Sequence, residues 1–185
     1  MELHVLAATN DGTLWHNLRD AAGKWGLFCK VVEETPSGEN PGKVIDSASA
    51  VDSNKDLHVL VVTDDGTLCH ALRYGAGAGP KIGRWTDLAD VATVVSPPPG
   101  SPDGIGPIRA VTAATDGLNL HVLAATEDGK LWQTVRTGKP RPDLSAKWSR
   151  WNQYRTNQQP NPQFPDRCRK VEPGKFKTLT TARVP

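Results

Sequence analysis

The sequence predicts an all-β protein made of repeated antiparallel units, and three observations predict it. One stretch occurs three times, at residues 3–16, 57–70 and 120–133. Each copy is followed by a loop rich in Gly, Lys and Arg and then by a segment marked with tryptophan: Trp25, Trp85 and Trp148. A segment of small and β-branched residues precedes the second and third copies, at 45–51 and 108–114. A repeat period of this kind sets the architecture before any single residue is interpreted.

Within each copy the flanks alternate apolar with polar residues around Asp11-Gly12, Asp65-Gly66 or Asp128-Gly129. That is the pattern of a β-hairpin. An Asp-Gly pair supplies the positive φ angles of a two-residue hairpin, so a two-residue turn is expected. Adding the leading segment and the tryptophan segment gives four antiparallel strands per unit, in chain order. Small and β-branched residues suit a leading strand near a crowded axis.

The first copy begins without a leading strand, and its counterpart lies at the other end, in residues 176–184 from Phe176 to Val184. The chain thus reads as three units cut between strand one and strand two. A ring of four-stranded units is a β-propeller, which takes four to eight blades. Three blades per chain therefore predict a six-bladed ring formed by a head-to-tail homodimer, the last strand of each chain completing the first blade of the other. A pseudo-threefold prism formed by one chain is the alternative. The expected single domain runs over 1–185: blade 1 from 176–185 plus 1–30, blade 2 from 44–90 and blade 3 from 107–152.

The connecting loops carry the remaining length. Leu3 to Leu57 spans 54 residues and Leu57 to Leu120 spans 63, above the roughly 40–50 of common propeller repeats. The excess falls at 31–43, 91–106 and 153–175, where Pro and Gly argue against regular structure. By parity the hairpin turns and these long loops share one face. The opposite face holds the basic loops with Lys24, Lys81, Arg84, Lys139, Arg141 and Lys147.

Composition narrows the function. A formal net charge of +2 gives no electrostatic reason to expect nucleic acid or an anionic membrane as partner. No apolar run approaches the ~20 residues of a membrane span. Met1 leads directly into the first repeat, so no signal peptide is read and a cytoplasmic protein is expected. Cys29, Cys69 and Cys168 form no CxxC pair, which predicts free thiols and no metal site. No P-loop, Rossmann, HExxH or GxSxG fingerprint is present, so no cofactor is expected.

All five histidines sit in the repeated stretch: His4, His58 and His121 at one position, His16 and His70 at another, which Gln133 fills in the third copy. They read either as a ring of bases or as partners in hydrogen bonds within and between units. Asp11, Asp65 and Asp128 are accounted for by the turn. Trp15 and Trp132 suit the wedge between units. Trp25, Trp85 and Trp148, with Trp151 and Arg150 beside the last, lie near loop ends, where an indole can stack on a sugar ring.

The repeated pattern of Leu-His-Val-Leu, Asp-Gly, Leu-Trp-His and a following Trp resembles the blades of bacterial fucose-binding propeller lectins, and more distantly tectonin-like propellers. The resemblance covers nearly all of the chain outside the long loops. It implies a propeller with sugar pockets between blades or on one face, and no catalysis. Family blades close with Trp-x-x-Trp-x-x-Leu-Gly-Gly; here only the third unit keeps both tryptophans, Trp148 and Trp151, and none keeps the Gly-Gly. The expected function is non-catalytic carbohydrate binding through Trp25, Trp85, Trp148, Trp151 and Arg150. One alternative is a cyclase- or isomerase-type enzyme with a pocket under the long loops or in a central channel, using His16, His70, Asp103 and Arg167. Another is a protein-interaction scaffold gripping its partner with the Pro-rich loops. A glycan or other small molecule is the expected ligand.

Overall fold

The computed structural model describes residues 2–101, 103–140 and 145–154. They build three antiparallel sheets in which strand order follows chain order. The first sheet is β1 (Leu3–Ala8), β2 (Leu14–Arg19) and β3 (Cys29–Lys30). The second is β4 (Val44–Val51), β5 (Leu57–Thr63), β6 (Leu68–Arg73) and β7 (Ala89–Asp90). The third is β8 (Ile108–Asp116), β9 (Asn119–Thr126), β10 (Leu131–Thr137) and β11 (Lys147–Trp148), with β12 (Asn152–Gln153) also paired to β10. The strand assigned from sequence to 176–184, Cys168, Arg141 and Arg167 all lie outside the described residues.

The sheets stand side by side with the second in the middle: β1 approaches β4, and β4 and β5 pack on β8. Burial follows from that order. Every residue of β5 is buried, because this sheet is covered on both faces. Its side chains alternate between two cores, as the period of two requires. Val59 and Val61 point to a cluster with Leu14, Val31, Val44 and Trp85 at the first junction. Leu60 and Val62 point to a cluster with Val111, Val122, Trp132 and Trp151 at the second. Burying each such Val or Leu contributes roughly 1.5–3 kcal/mol. By contrast β1, on the flank of the described structure, has no fully buried residue.

The sheets are also joined through backbone. The Val44 N–H donates to the Gly12 carbonyl and the Ile108 N–H to the Gly66 carbonyl, both at 3.0 Å. The approach is so close that a Cβ on Gly12 would lie 2.8 Å from Lys43 Cα, and one on Gly66 2.8 Å from Pro107 Cα. Each hairpin glycine thus serves both the turn and the junction beyond it.

The hairpin differs from the expected two-residue turn. Thr9 pairs with Thr13, its N–H donating to the Thr13 carbonyl at 3.0 Å, which leaves a three-residue loop of Asn10, Asp11 and Gly12. Only the glycine takes a positive φ, 84° at Gly12, 87° at Gly66 and 78° at Gly129. This is a type I turn followed by a glycine bulge. Asp fits it because its carboxylate accepts from its own loop: Asp65 takes the Thr63 hydroxyl at 2.6 Å and the Thr67 amide at 3.0 Å.

Two further expectations are corrected. The fourth strand of each unit is interrupted rather than continuous. Trp25 and Trp85 make isolated bridges to Arg19 and Arg73, and pairing resumes only at β3 and β7. Between them the chain bows outward with one amide returning to the strand, as Thr86 N–H does to Leu72 O at 2.8 Å. The long loops also open with regular structure: a one-turn helix α1 (Val31–Glu34) and a 3-10 turn (Val91–Thr93). Val31 and Val91 are buried plugs for the two junctions, so packing organises these segments before the Pro- and Gly-rich stretches begin. Among the described residues no helix is long and apolar enough to cross a membrane.

Candidate functional site

The histidines form pairs across neighbouring strands. His4 pairs with Leu18 and His16 with Leu6 in the backbone ladder, which places both rings on one face of the sheet. His4 Nδ1 lies 3.0 Å from His16 Nε2, and His58 Nδ1 lies 3.0 Å from His70 Nε2. Both pairs point into a junction. His16 meets the edge of Trp85 at 5.2 Å between centroids, and His70 meets Trp148 at 5.5 Å. Each tryptophan lies opposite an arginine on the adjacent strand, Arg73 for Trp85 and Arg136 for Trp148. The two junctions therefore present one constellation twice: two imidazoles from one sheet, an indole and a guanidinium from the next.

What surrounds the constellation differs. At the first junction Glu34 closes it. Trp85 Nε1–H donates to Glu34 Oε2 at 2.9 Å, and the same oxygen lies 3.9 Å from His16 Nδ1. Trp85 is only 4% exposed. At the second junction Val94 stands at the position that Glu34 holds in the repeat, and a cleft of about 510 Å³ opens there. His70, Arg136, Lys147 and Trp148 line it, with Val91, Val94 and two alanines as its apolar wall. The carboxylate at this junction sits behind the histidines instead. Asp52, in the β4–β5 turn, accepts from the Asp56 amide at 3.0 Å and faces His58 Nε2 at 3.5 Å.

These carboxylates set the imidazole tautomers in opposite senses. Glu34 favours the proton on His16 Nδ1, so His16 Nε2 accepts from His4. Asp52 favours the proton on His58 Nε2, so His58 Nδ1 accepts from His70 Nε2–H. His70 Nδ1 is then left as a lone pair on a ring that lines the cleft. Both inner rings are neutral at physiological pH. Burial, then Arg73 and His4, lowers His16 to about 4. Burial, then His58 and Arg136, holds His70 well below the usual histidine value. Burial opposes ionisation of Asp52, but the facing His58 and the Asp56 amide together hold its carboxyl below the usual range.

The residues singled out from sequence are thus distributed rather than gathered. Trp148 and His70 share the second cleft, whereas His16 and Trp85 are enclosed at the first junction. Trp25 is exposed on the first sheet, beside the exposed Leu27 and Phe28. Trp151 is buried and lines a separate cavity of about 500 Å³ on the hairpin face, shared with Asp103, Asp65 and Asp90. Arg150 is exposed, and its carbonyl accepts from the Asn152 amide at 3.1 Å. Asp103 and His70 therefore belong to different cavities. Asp11, Asp65 and Asp128 serve their turns; the Lys130 and Thr126 side chains draw Asp128 down to about 2. Among the described residues no cluster of His, Cys, Asp and Glu is arranged to hold a metal.

Arg136, Asp52 and Glu34 are the site residues that motif reading passes over. The signal for Arg136 is its recurrence, since Arg19, Arg73 and Arg136 hold the same position near the end of the same strand in each unit. Asp52 has a counterpart in strand register, Asp116 of the third unit, whereas Glu34 carries no such signal because Val94 holds its position in the second unit.

Neither a protein-family model nor a curated protein sequence matches the chain. Among solved structures the chain is similar to the BP39L lectin from Burkholderia pseudomallei, with 22% identity over 82% of this chain and a TM-score of 0.49. The chain spans 36% of the length of that protein.

Proposed function

We propose that this protein binds carbohydrate without transforming it, and that the cleft between the second and third sheets is the binding site. One observation carries this reading: a cleft of about 510 Å³ with the Trp148 indole on its wall, flanked by Arg136, Lys147 and His70. Its size falls within the roughly 300–1,000 Å³ usual for small-molecule sites. An indole offers a flat apolar surface to the C–H face of a sugar ring, and charged or imine nitrogen groups around it address hydroxyls. The first junction has the same plan, but Glu34 and the buried Trp85 fill it, so one described cleft rather than two is available to ligand. Calorimetric titration against a panel of monosaccharides and their glycosides tests the reading. Binding that Trp148→Ala abolishes is expected; no binding across the panel at millimolar sugar contradicts it.

The same reading extends to the architecture. We propose that the sheets are blades of a propeller with the boundaries given above, closed as a six-bladed head-to-tail dimer. Two features support this: among the described residues the first sheet has one strand fewer ahead of its hairpin than the others, and Leu3, Trp25, Leu27 and Phe28 are exposed on it. For a chain of 20.0 kDa, light scattering should return twice the chain mass; a monomer removes the dimer.

A further inference from the structure

We infer that the saccharide taken by the second cleft is an acidic one, whose carboxylate or sulfate lies between Arg136 and Lys147 while its ring packs on Trp148. The inference rests on the carbohydrate-binding reading and names the class of sugar. Arg136 and Lys147 both line the cleft, and no Asp or Glu does among its described lining. The contrast with the first junction gives this weight. There the repeat supplies the same guanidinium at Arg73, but Glu34 is present to accept from Trp85 and to face His16. In the second junction that position is Val94, 54% exposed, and the negative charge has been moved to the far side of the histidine pair.

Asp52 and Asp56 do lie in the field of Arg136, but both carboxylates are engaged on the protein side. Asp52 takes the Asp56 amide and faces His58, and Asp56 accepts from the Gly75 amide at 2.7 Å. Their charges act on the guanidinium through space, while Arg136 itself lines the cleft. A partly buried guanidinium recognises a planar oxyanion by paired N–H donors, and a flexible ammonium adds a point charge beside it. The lone pair on His70 Nδ1 accepts a hydroxyl of the same ligand. A cleft with two cations, one acceptor and an indole matches a sugar that carries an anion, hydroxyls and an apolar face.

The test is a set of titrations of the full chain at neutral pH and low salt with four probes: methyl β-glucuronide, glucose 6-sulfate, methyl β-glucoside and sodium acetate. At least one acidic sugar should bind about tenfold more tightly than the neutral glycoside. That advantage should shrink about fivefold in Lys147→Gln and in Arg136→Gln, and with added salt. Lys147 is exposed, so its variant retains the fold even if Arg136→Gln does not. Whichever acidic sugar binds more tightly identifies the anion. Equal affinity for the neutral glycoside, or an acidic preference that both variants retain, overturns the inference while leaving carbohydrate binding intact. Acetate binding as tightly as the sugars overturns it in favour of a plain anion site. No binding of any sugar removes both the inference and the carbohydrate reading.

Discussion

The first and second junctions are built from the same repeat, yet one is closed and the other open. Both have a histidine pair with nitrogens 3.0 Å apart, a tryptophan edge-on to His16 or His70 and an arginine opposite that tryptophan. The difference comes from where a single carboxylate sits. Glu34 in front of the pair satisfies Trp85 and fills the space, whereas Asp52 behind the pair leaves Trp148, Arg136 and Lys147 facing a cleft. A repeated scaffold can therefore fix the geometry of a site while one unrepeated residue decides whether it is available and what charge it presents.

The shared part of the comparison should break with the largest effect. Gly12→Ala and Gly66→Ala each place a methyl group against the backbone of the next sheet and force a side chain onto a positive φ. Each should cost about 3 kcal/mol in chemical denaturation. Gly38→Ala has the same backbone requirement at φ 66° but open space around it, and should cost only about 1 kcal/mol. Equal losses at all three would mean that the junction contacts contribute nothing.

Acid should act on both junctions in one direction. His16 has a folded value of about 4, below the usual histidine value of 6.5, so its contribution is intact above pH 6.5. As pH falls, the unfolded chain takes up a proton that folded His16 does not, and stability is lost progressively towards pH 4, by up to about 3 kcal/mol. His4 and His70 are shifted in the same direction and add to the slope. His16→Gln, the residue type that the third unit carries at this position, should flatten the dependence between pH 6.5 and 4 in urea unfolding. An unchanged slope contradicts a neutral buried pair.

The fold was more legible than the site for a physical reason. Repetition states the same strand three times, so Leu57–Thr63 and Asn119–Thr126 could be assigned from alternation and copy number together. The turn differs from its sequence expectation because Asp-Gly satisfies both a two-residue loop and a three-residue loop with a glycine bulge, and only pairing of Thr9 with Thr13 separates them. The fourth strand differs because its tryptophans carry the pattern while its bowed middle does not. At the site, the histidines and Trp148 were visible as repeats. Glu34 was not, since it acts through a contact made once, 51 residues away to Trp85. The closure of Trp85 follows from that contact.

The carboxylates themselves should be unequal. Asp52→Ala strips a buried acceptor from the Asp56 amide and the carboxylate that faces His58 Nε2, and should cost about 2 kcal/mol. Glu34→Ala loses one indole hydrogen bond at a partly exposed position, about 1 kcal/mol. It should also free Trp85, detected as a red shift and greater quenching of tryptophan fluorescence. The smallest effect is chemical. Burial, then Asp90 and Asp65, pushes the Cys69 thiol up to about 11, whereas Cys29 is exposed. Peptide mapping after alkylation of the native protein at mildly alkaline pH should find Cys29 modified and Cys69 protected.

The opposed orientation of the two histidine pairs is most directly tested by nitrogen-15 NMR of the imidazole rings at neutral pH, with His16→Gln and His70→Gln used for assignment. The arrangement described here predicts His16 protonated on Nδ1 and His70 protonated on Nε2, both neutral. The same tautomer in both rings, or a charged His70, would contradict it.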